Sequence, residues 1–389
     1  MSRHGRWDIF CTVVDNFGDV GVTWRLARQL VREFDKSVCL WMDNLTALQK
    51  LCPEVDPVQS EQRVAGVLIR DWRQDGDMHL IDAAPIDVVI EAFACHLSEP
   101  YLEALAQHSP QAIWLNLEYL SAEDWVDDCH GLPSIHPCLP LTKYFFFPGF
   151  SERTGGLLRE RDLIRQRREF QRDPQTRQAF LASLDVAMPT GARVYSLFSY
   201  ESPAISDWLT TLAAAECPSL CLVPEGRSLA GVRDWLGESP DLSAGQRHVR
   251  GQLTLQVLPF LPQDDYDRLL WSCDFNVVRG EDSLVRAHWA GQPFCWQIYP
   301  QADAAHLAKL DAFLDLFLAQ SVPELAAPLR AAMRAWSGEG EVADAWQSLQ
   351  ALRPQWQQAC TDWADRLAAR PDLAAALVDF CDAHQPRGG

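Results

Sequence analysis

Basic residues are scarce in this chain. Lys and Arg together number 34 against 53 Asp and Glu, a formal net charge of −19 at pH 7 over 389 residues. A surface of that sign repels nucleic acid and anionic membranes, so neither is expected as a partner, and any anionic ligand must be held by a local site. Long apolar runs are missing too. No window approaches the about 18 uninterrupted apolar residues of a membrane span, and the opening Met-Ser-Arg-His-Gly-Arg-Trp-Asp lacks the apolar stretch of a secretory signal. A cytoplasmic protein is therefore expected. The Gly-x-Gly-x-x-Gly dinucleotide fingerprint is absent after the first apolar run, where only Gly18 and Gly21 stand among aspartates, which argues against a nicotinamide cofactor. Common zinc spacings are lacking: Cys129-His130 with His136 and Cys138 is the one cluster to weigh, and prolines interrupt it. The twelve cysteines are scattered, several in apolar stretches (Cys11, Cys39, Cys273, Cys295) where a thiol acts as a small hydrophobe, so disulfides are not expected.

What is present is an ordinary globular balance, 48% hydrophobic and 22% charged, in a chain long enough for two domains or one large one. The apolar pattern alternates. A strand over Trp7–Val14 leads through Asp15-Asn16-Phe17-Gly18-Asp19-Val20-Gly21 into a helix to about Phe34, with Val22, Leu26, Leu30 and Val31 at helical spacing. Strands follow at Val38–Met42, near Val64–Arg70, at Asp87–Phe93 and at Ala112–Leu117, with helices at Leu45–Leu51 and Glu99–Gln107. Around Tyr144-Phe145-Phe146-Phe147-Pro148-Gly149-Phe150 the pattern gives way to an aromatic loop, and the arginine-rich Arg153–Arg177 is expected to be one amphipathic helix bridging domains. Met188-Pro189-Thr190-Gly191 has the composition of a domain joint. Beyond it the alternation resumes: strands at Arg193–Phe198, Ser219–Val223, Leu253–Leu258, Cys273–Val278 and Pro293–Gln297, with helices at Pro203–Ala214, Ser228–Leu236 and Gln263–Trp271. From Asp303 on the chain is almost wholly helical, with Trp356 and Trp363 two turns apart and a final helix over about Asp372–His384 that is expected to return to the first domain. Alternation of this kind implies α/β folding with parallel sheets covered on both faces.

Asn276–Gly291 is the stretch on which the reading converges. The end of a buried strand, a tight turn at Gly280 and a helix carrying Glu281, Asp282 and Ser283 in its first turn leave backbone N–H groups aimed outward beside the positive end of the helix dipole. A phosphate suits that position, and Arg279 can add a permanently charged fork. Acidic and hydroxyl side chains there are also ordinary capping chemistry. Phe260, in Leu258-Pro259-Phe260-Leu261-Pro262-Gln263, can stack on a base with Gln263 supplying hydrogen bonds, or serve as a core aromatic; Phe198, Tyr200 and Tyr299 are candidates for ribose and phosphate contacts. Asp15 and Asp19 lie in the loop beyond the first strand, where ligands of open α/β sheets bind.

Three motifs together carry a resemblance: Asp15-Asn16-Phe17-Gly18-Asp19-Val20-Gly21 with Trp24-Arg25-Leu26-Ala27-Arg28 behind it, Val89-Ile90-Glu91-Ala92-Phe93-Ala94-Cys95, and Arg279-Gly280-Glu281-Asp282-Ser283. Asn116-Leu117-Glu118-Tyr119-Leu120-Ser121, Pro148-Gly149-Phe150-Ser151 with Gly155-Gly156, and Trp296-Gln297-Ile298-Tyr299-Pro300-Gln301 add to it. The chain resembles the EarP family, the protein-arginine rhamnosyltransferases of translation elongation factor P. The resemblance implies a GT-B glycosyltransferase architecture, with two Rossmann-like domains facing across a cleft: residues 1–187, completed by 365–389, would bind the acceptor and residues 188–364 the nucleotide-sugar donor.

The implied reaction is inverting transfer of L-rhamnose from dTDP-β-L-rhamnose to one arginine of elongation factor P, which relieves ribosomes stalled at proline runs. The resemblance makes Asp19 the base and Asp15 the residue orienting the guanidinium, and marks Glu281 as essential. It implies donor contacts from Asn16, Phe17, Gly18, Phe198, Tyr200, Phe260, Gln263, Arg279, Gly280, Asp282, Ser283 and Tyr299. No cofactor or metal is expected if fixed donors stabilise the diphosphate. Another GT-B activity, a nucleotide-sugar epimerase, or a sensor that binds a nucleotide sugar without turnover are the alternatives the pattern leaves open.

Overall fold

The computed structural model describes residues 5–14, 17–72, 85–93, 95–237, 240–301 and 304–385. The chain divides into two compact units, Met1–Arg161 with Ala369–Gly389, and Asp162–Ala368.

In unit 1 the described elements run β1 (Arg6–Cys11), α1 (Gly18–Phe34), β2 (Ser37–Met42), α2 (Leu45–Leu51), β3 (Glu61–Val64), β4 (Val67–Asp71), β5 (Val88–Ala92), α3 (Glu99–His108), β6 (Ile113–Leu117), α4 (Trp125–Cys129), β7 (Pro133–Ile135) and β8 (Thr142–Phe146). They form a sheet of order β3-β4-β2-β1-β5-β6-β8-β7, parallel except for the outer pairs β3·β4 and β7·β8. β1, β5 and β6 are buried almost throughout, which is why they appear in the sequence as near-continuous apolar runs without alternation. The region expected as one strand near Val64–Arg70 is a hairpin. Ala65 and Gly66 both take positive φ, 50° and 86°, as a two-residue turn between twisted strands requires. The aromatic loop expected at 144–150 is replaced up to Phe146 by β8, which pairs in parallel with β6 from Trp114↔Lys143 to Leu117↔Phe146. Aromatic side chains fit a half-buried pleated surface, and only at Pro148-Gly149 does loop composition take over.

Unit 2 continues with α5 (Leu163–Arg172), α6 (Pro174–Ser183), β9 (Arg193–Leu197), α7 (Ala204–Ala213), β10 (Ser219–Pro224), α8 (Ser228–Leu236), β11 (Arg247–Arg250), β12 (Leu253–Leu258), α9 (Gln263–Ser272), β13 (Phe275–Arg279), α10 (Asp282–Ala290) and β14 (Phe294–Gln297). Four helices then follow, α11 (Ala305–Leu318), α12 (Pro323–Trp336), α13 (Val342–Ala351) and α14 (Arg353–Ala368), before α15 (Leu373–His384). The sheet order is β11-β12-β10-β9-β13-β14, parallel except for β11·β12.

Two further expectations need correction. Arg153–Arg177 is not one helix: the chain breaks at Asp173-Pro174, where Asp173 Oδ1 accepts from Gln175 N at 3.0 Å and caps α6. Nor do the units part at 187/188. α5 and α6 belong to unit 2 because their polar side chains bond to its backbone: the buried Arg167 donates to the Trp289 carbonyl at 3.2 Å, and the half-buried Gln171 and Arg177 donate to those of Ala290 at 3.0 Å and Ser272 at 2.8 Å. Arg167 and Gln171 thus reach carbonyls in the last turn of α10, where a cation is favoured by the helix dipole.

The tail beyond 303 is mostly part of unit 2. Trp356 of α14 packs on Phe275 of β13, ring centroids 5.4 Å apart, and Trp363 on Phe317 of α11 at 5.6 Å. Only the last stretch clusters with unit 1, from Ala369 and not from 365. Leu373 N donates to Leu157 O at 3.0 Å, and Gln29 of α1 donates to the Asp372 carboxylate that caps α15.

Candidate functional site

In unit 2 the chain leaves β9 for β10 and β12 on one side of the sheet, then crosses to β13 and β14 on the other. The crevice outside the carboxyl ends of β9 and β13 is therefore the topological switch point, the place where open α/β sheets receive ligands. β9 runs out into Phe198-Ser199-Tyr200 and β13 ends on Arg279. The Arg279 guanidinium carbon lies 4.7 Å from the centroids of both the Phe198 and the Tyr200 rings, so one cation is flanked by two aromatic faces. The strand exit itself is fixed by buried partners. Ser199 N donates to Ser228 Oγ at 2.9 Å, and Tyr200 N donates to Gln297 Oε1 at 2.8 Å. Tyr299 stands edge-on to Tyr200, centroids 5.4 Å apart, and is 45% exposed.

Gly280 takes φ of 59°, the left-handed turn between β13 and α10, and its carbonyl accepts from Trp296 Nε1 at 2.8 Å. Glu281 is the N-cap of α10 and makes no side-chain cap, while Glu281 and Asp282 are both half-buried. The buried Ser283 hydroxyl turns back onto the Arg279 backbone, accepting from its N–H at 3.0 Å and donating to its carbonyl. The nine-residue helix thus presents its positive end beside a buried guanidinium, a combination suited to an anion. Behind it, Arg286 of α10 grips Asp267 of α9 through two bonds, 2.8 and 2.6 Å, both side chains buried. That fork ties α10 to the helix on whose first residue Gln263 sits. Phe260, in the turn leading to α9, is half-buried, while Leu258 and Leu261 of the same segment are buried. Tyr266 is buried beside this turn; burial first, then the Asp282 carboxylate, push its phenol well up.

Sequence reasoning singled out Trp296 and Gln297 only as part of a resemblance, and overlooked Asp267, Arg286 and Ser228. Nothing in their local spacing marks them, because each works through a partner distant in the chain.

Unit 1 repeats the topology. The chain goes from β1 to β2 and β4 on one side and then to β5, β6 and β8 on the other, so its switch point lies between β1 and β5. Asp15 and Asn16, in the loop after β1, lie outside the described residues. Phe17 is the half-buried N-cap of α1 and Gly18 its first residue. Asp19 is 3% exposed, and its Oδ2 accepts from Val14 N at 2.9 Å. Cys11 is close by: burial, then the Asp19 carboxylate, raise its thiol well above the usual range. Across the switch point Phe93 holds a positive φ of 57°, costly for an aromatic residue, and stacks on Tyr119 with centroids 5.0 Å apart. Glu91 of β5 pairs with Lys143 of β8 at 2.6 Å.

The cysteine–histidine cluster has other employment. His130 Nδ1 accepts from Phe147 N at 3.0 Å and His136 Nδ1 from Leu139 N at 3.0 Å. All twelve cysteines are free, and among the described residues no group of three or more His, Cys, Asp or Glu is placed to hold a metal.

The described residues of the three motifs that carry the resemblance thus lie at the two switch points. Residues 7–382 match the family model described as EarP, Elongation-Factor P (EF-P) rhamnosyltransferase. The chain belongs to that family. It is similar to a protein-arginine rhamnosyltransferase of Pseudomonas aeruginosa, 53% identical over 96% of this chain and 98% of the relative. One of Shewanella oneidensis is 42% identical over 97% and 98%. A solved structure, reported as the structural basis for EarP-mediated arginine glycosylation of translation elongation factor EF-P, is 39% identical with a TM-score of 0.70, covering 97% of this chain and 99% of that one. Membership in the EarP family makes this chain a glycosyltransferase, an arginine rhamnosyltransferase by family, with the α/β fold and two parallel-dominated sheets of the GT-B class. Among the described residues, no helix is long and apolar enough to cross a membrane.

Proposed function

We infer that this chain transfers L-rhamnose from dTDP-β-L-rhamnose to the guanidinium of one arginine of translation elongation factor P, with inversion at the anomeric carbon, in the cytoplasm. The observation that carries the reading is the family match over residues 7–382; the positions of Phe17–Gly21 after β1 and Arg279–Ser283 after β13 support it. In unit 2, Arg279 and the amino end of α10 take the donor diphosphate, with Gly280, Asp282 and Ser283 shaping that turn. Phe260 stacks on thymine with Gln263 beside it, while Phe198, Tyr200 and Tyr299 line the ribose and phosphates. Charge grows on the diphosphate as the glycosidic bond breaks, so these contacts strengthen in the transition state and lower the barrier.

In unit 1, Asp19 acts as general base and Asp15 orients the acceptor, with Asn16, Phe17 and Gly18 completing the loop. A guanidinium is protonated at every working pH and is a poor nucleophile until it sheds a proton. As the carbon–nitrogen bond forms, that proton passes to the Asp19 carboxylate, and the electron pair of the cleaved carbon–oxygen bond leaves on the diphosphate as dTDP. Glu281, at the N-cap of α10, faces the positive charge expected at the anomeric carbon of an oxocarbenium-like transition state.

The test is direct. The protein, dTDP-L-rhamnose and elongation factor P are incubated together and the factor is weighed intact; it should gain one deoxyhexosyl group, mapped to one arginine by fragmentation. Release of free rhamnose or an epimerised nucleotide sugar, with the factor unmodified, would overturn the reading.

A further inference from the structure

Arg227 follows the carboxyl end of β10, the strand beside β9, and is the N-cap residue of α8. Its guanidinium carbon lies 5.8 Å from the centroid of the Tyr200 ring, the ring that Arg279 approaches at 4.7 Å. The two guanidinium carbons are therefore separated by no more than the sum of those distances. The residue preceding Arg227, Gly226, passes beside the Phe198 ring, which a Cβ there would touch at an ordinary 3.4 Å. One aromatic cluster thus carries two permanent cations, and they differ in burial. Arg279 is 6% exposed, whereas the Arg227 side chain is 43% exposed.

The partner of Arg227 is weak. Its Nε stands 3.7 Å from Glu201 Oε1, beyond hydrogen-bonding distance, and the Glu201 side chain is 56% exposed. In a chain of net charge −19, no general field gathers anions here, so the charge a diphosphate needs must come from side chains in reach. A nucleoside diphosphate has two phosphoryl groups and Arg279 is a single fork.

We propose that Arg227 is a positioning residue for the donor, releasing Glu201 to hold the outer phosphoryl group of the diphosphate, the one bonded to the sugar. The proposal rests on the donor reading above and deepens it. Arg227 recognises the second phosphoryl group, so its removal discriminates dTDP from dTMP. Glu201 competes with the ligand for the same guanidinium, so neutralising it favours binding.

Calorimetry with dTDP and dTMP tests both arms. Arg227→Ala should weaken dTDP about three- to tenfold, the scale of an exposed charge-assisted contact, and leave dTMP nearly unchanged. The dTDP loss should shrink as salt is raised. Glu201→Gln should tighten dTDP, and the double variant should bind as Arg227→Ala does alone. A parent protein that binds dTDP beside an Arg227→Ala variant that binds it equally well, or that loses dTMP to the same degree, overturns the proposal, as does a Glu201→Gln variant that binds dTDP more weakly. A parent that binds no dTDP overturns the donor reading itself.

Discussion

The Ser283 hydroxyl is bonded to the backbone of Arg279, accepting from its N–H at 3.0 Å and donating to its carbonyl, so that one side chain closes the turn that aims the other. Ser283 then supports the anion site through geometry more than through a free hydroxyl. Arg279→Ala should accordingly carry most of the loss in dTDP affinity, roughly 2–3 kcal/mol for a buried charge-assisted contact, and Ser283→Ala about 1 kcal/mol. Arg279→Lys should fall between, since it keeps the charge but loses the planar face held between Phe198 and Tyr200. Unchanged dTDP affinity in a folded Arg279→Ala variant, measured by calorimetry, would remove the phosphate role.

Much of the fold was legible because local rules coincide with tertiary ones. α2, α8 and β12 begin and end at the residues expected from apolar spacing. The unit boundary was illegible because the signal lay in burial. Pro189-Thr190-Gly191 has joint composition yet only turns into β9, while the arginines of α5 resemble a solvated face although Arg167 is buried against α10. The same holds at the site. The turn at Gly280 is visible in the sequence, but Trp296 capping its carbonyl and Arg286 locking α10 to Asp267 join residues whose spacing says nothing of contact.

Phe260 offers a separate test of the proposed base contact. It is half-buried in the turn before α9, so part of its side chain reaches the surface. Phe260→Ala should weaken dTDP, by about 1–2 kcal/mol if a base stacks there, while Phe260→Tyr keeps the π-face and should be mild. Equal losses from both variants, accompanied by a lower thermal midpoint, would identify a packing residue.

His288 predicts an acid-sensitive core in unit 2. It is buried on α10 among Phe294, Phe313 and Trp363, and burial holds its imidazole down to about 3. The unfolded chain takes up that proton near the ordinary value of about 6.5 and the folded chain does not, so the stability is fully present above that value and is lost as pH falls toward 3. Between pH 7 and 5 the loss should be about 2 kcal/mol. His288→Leu should flatten this limb in urea unfolding series at the two pH values. Parallel slopes for parent and variant would show that the imidazole is not the titrating group.

Asp19 separates chemistry from binding. Its carboxylate is buried and accepts from the Val14 N–H in unit 1, whereas the residues proposed for the diphosphate belong to unit 2, so a change confined to Asp19 should leave the proposed donor contacts of Arg279 and α10 in place. Asp19→Asn keeps the shape and the oxygen that meets Val14 but offers no site basic enough for the guanidinium proton. Single-turnover transfer to elongation factor P should therefore fall by at least about 100-fold, with dTDP affinity within a few-fold of the parent. Asp15→Asn should slow transfer less if that residue only orients the guanidinium. Parental turnover by Asp19→Asn would exclude Asp19 as the base, and loss of dTDP binding would reassign it to the donor side.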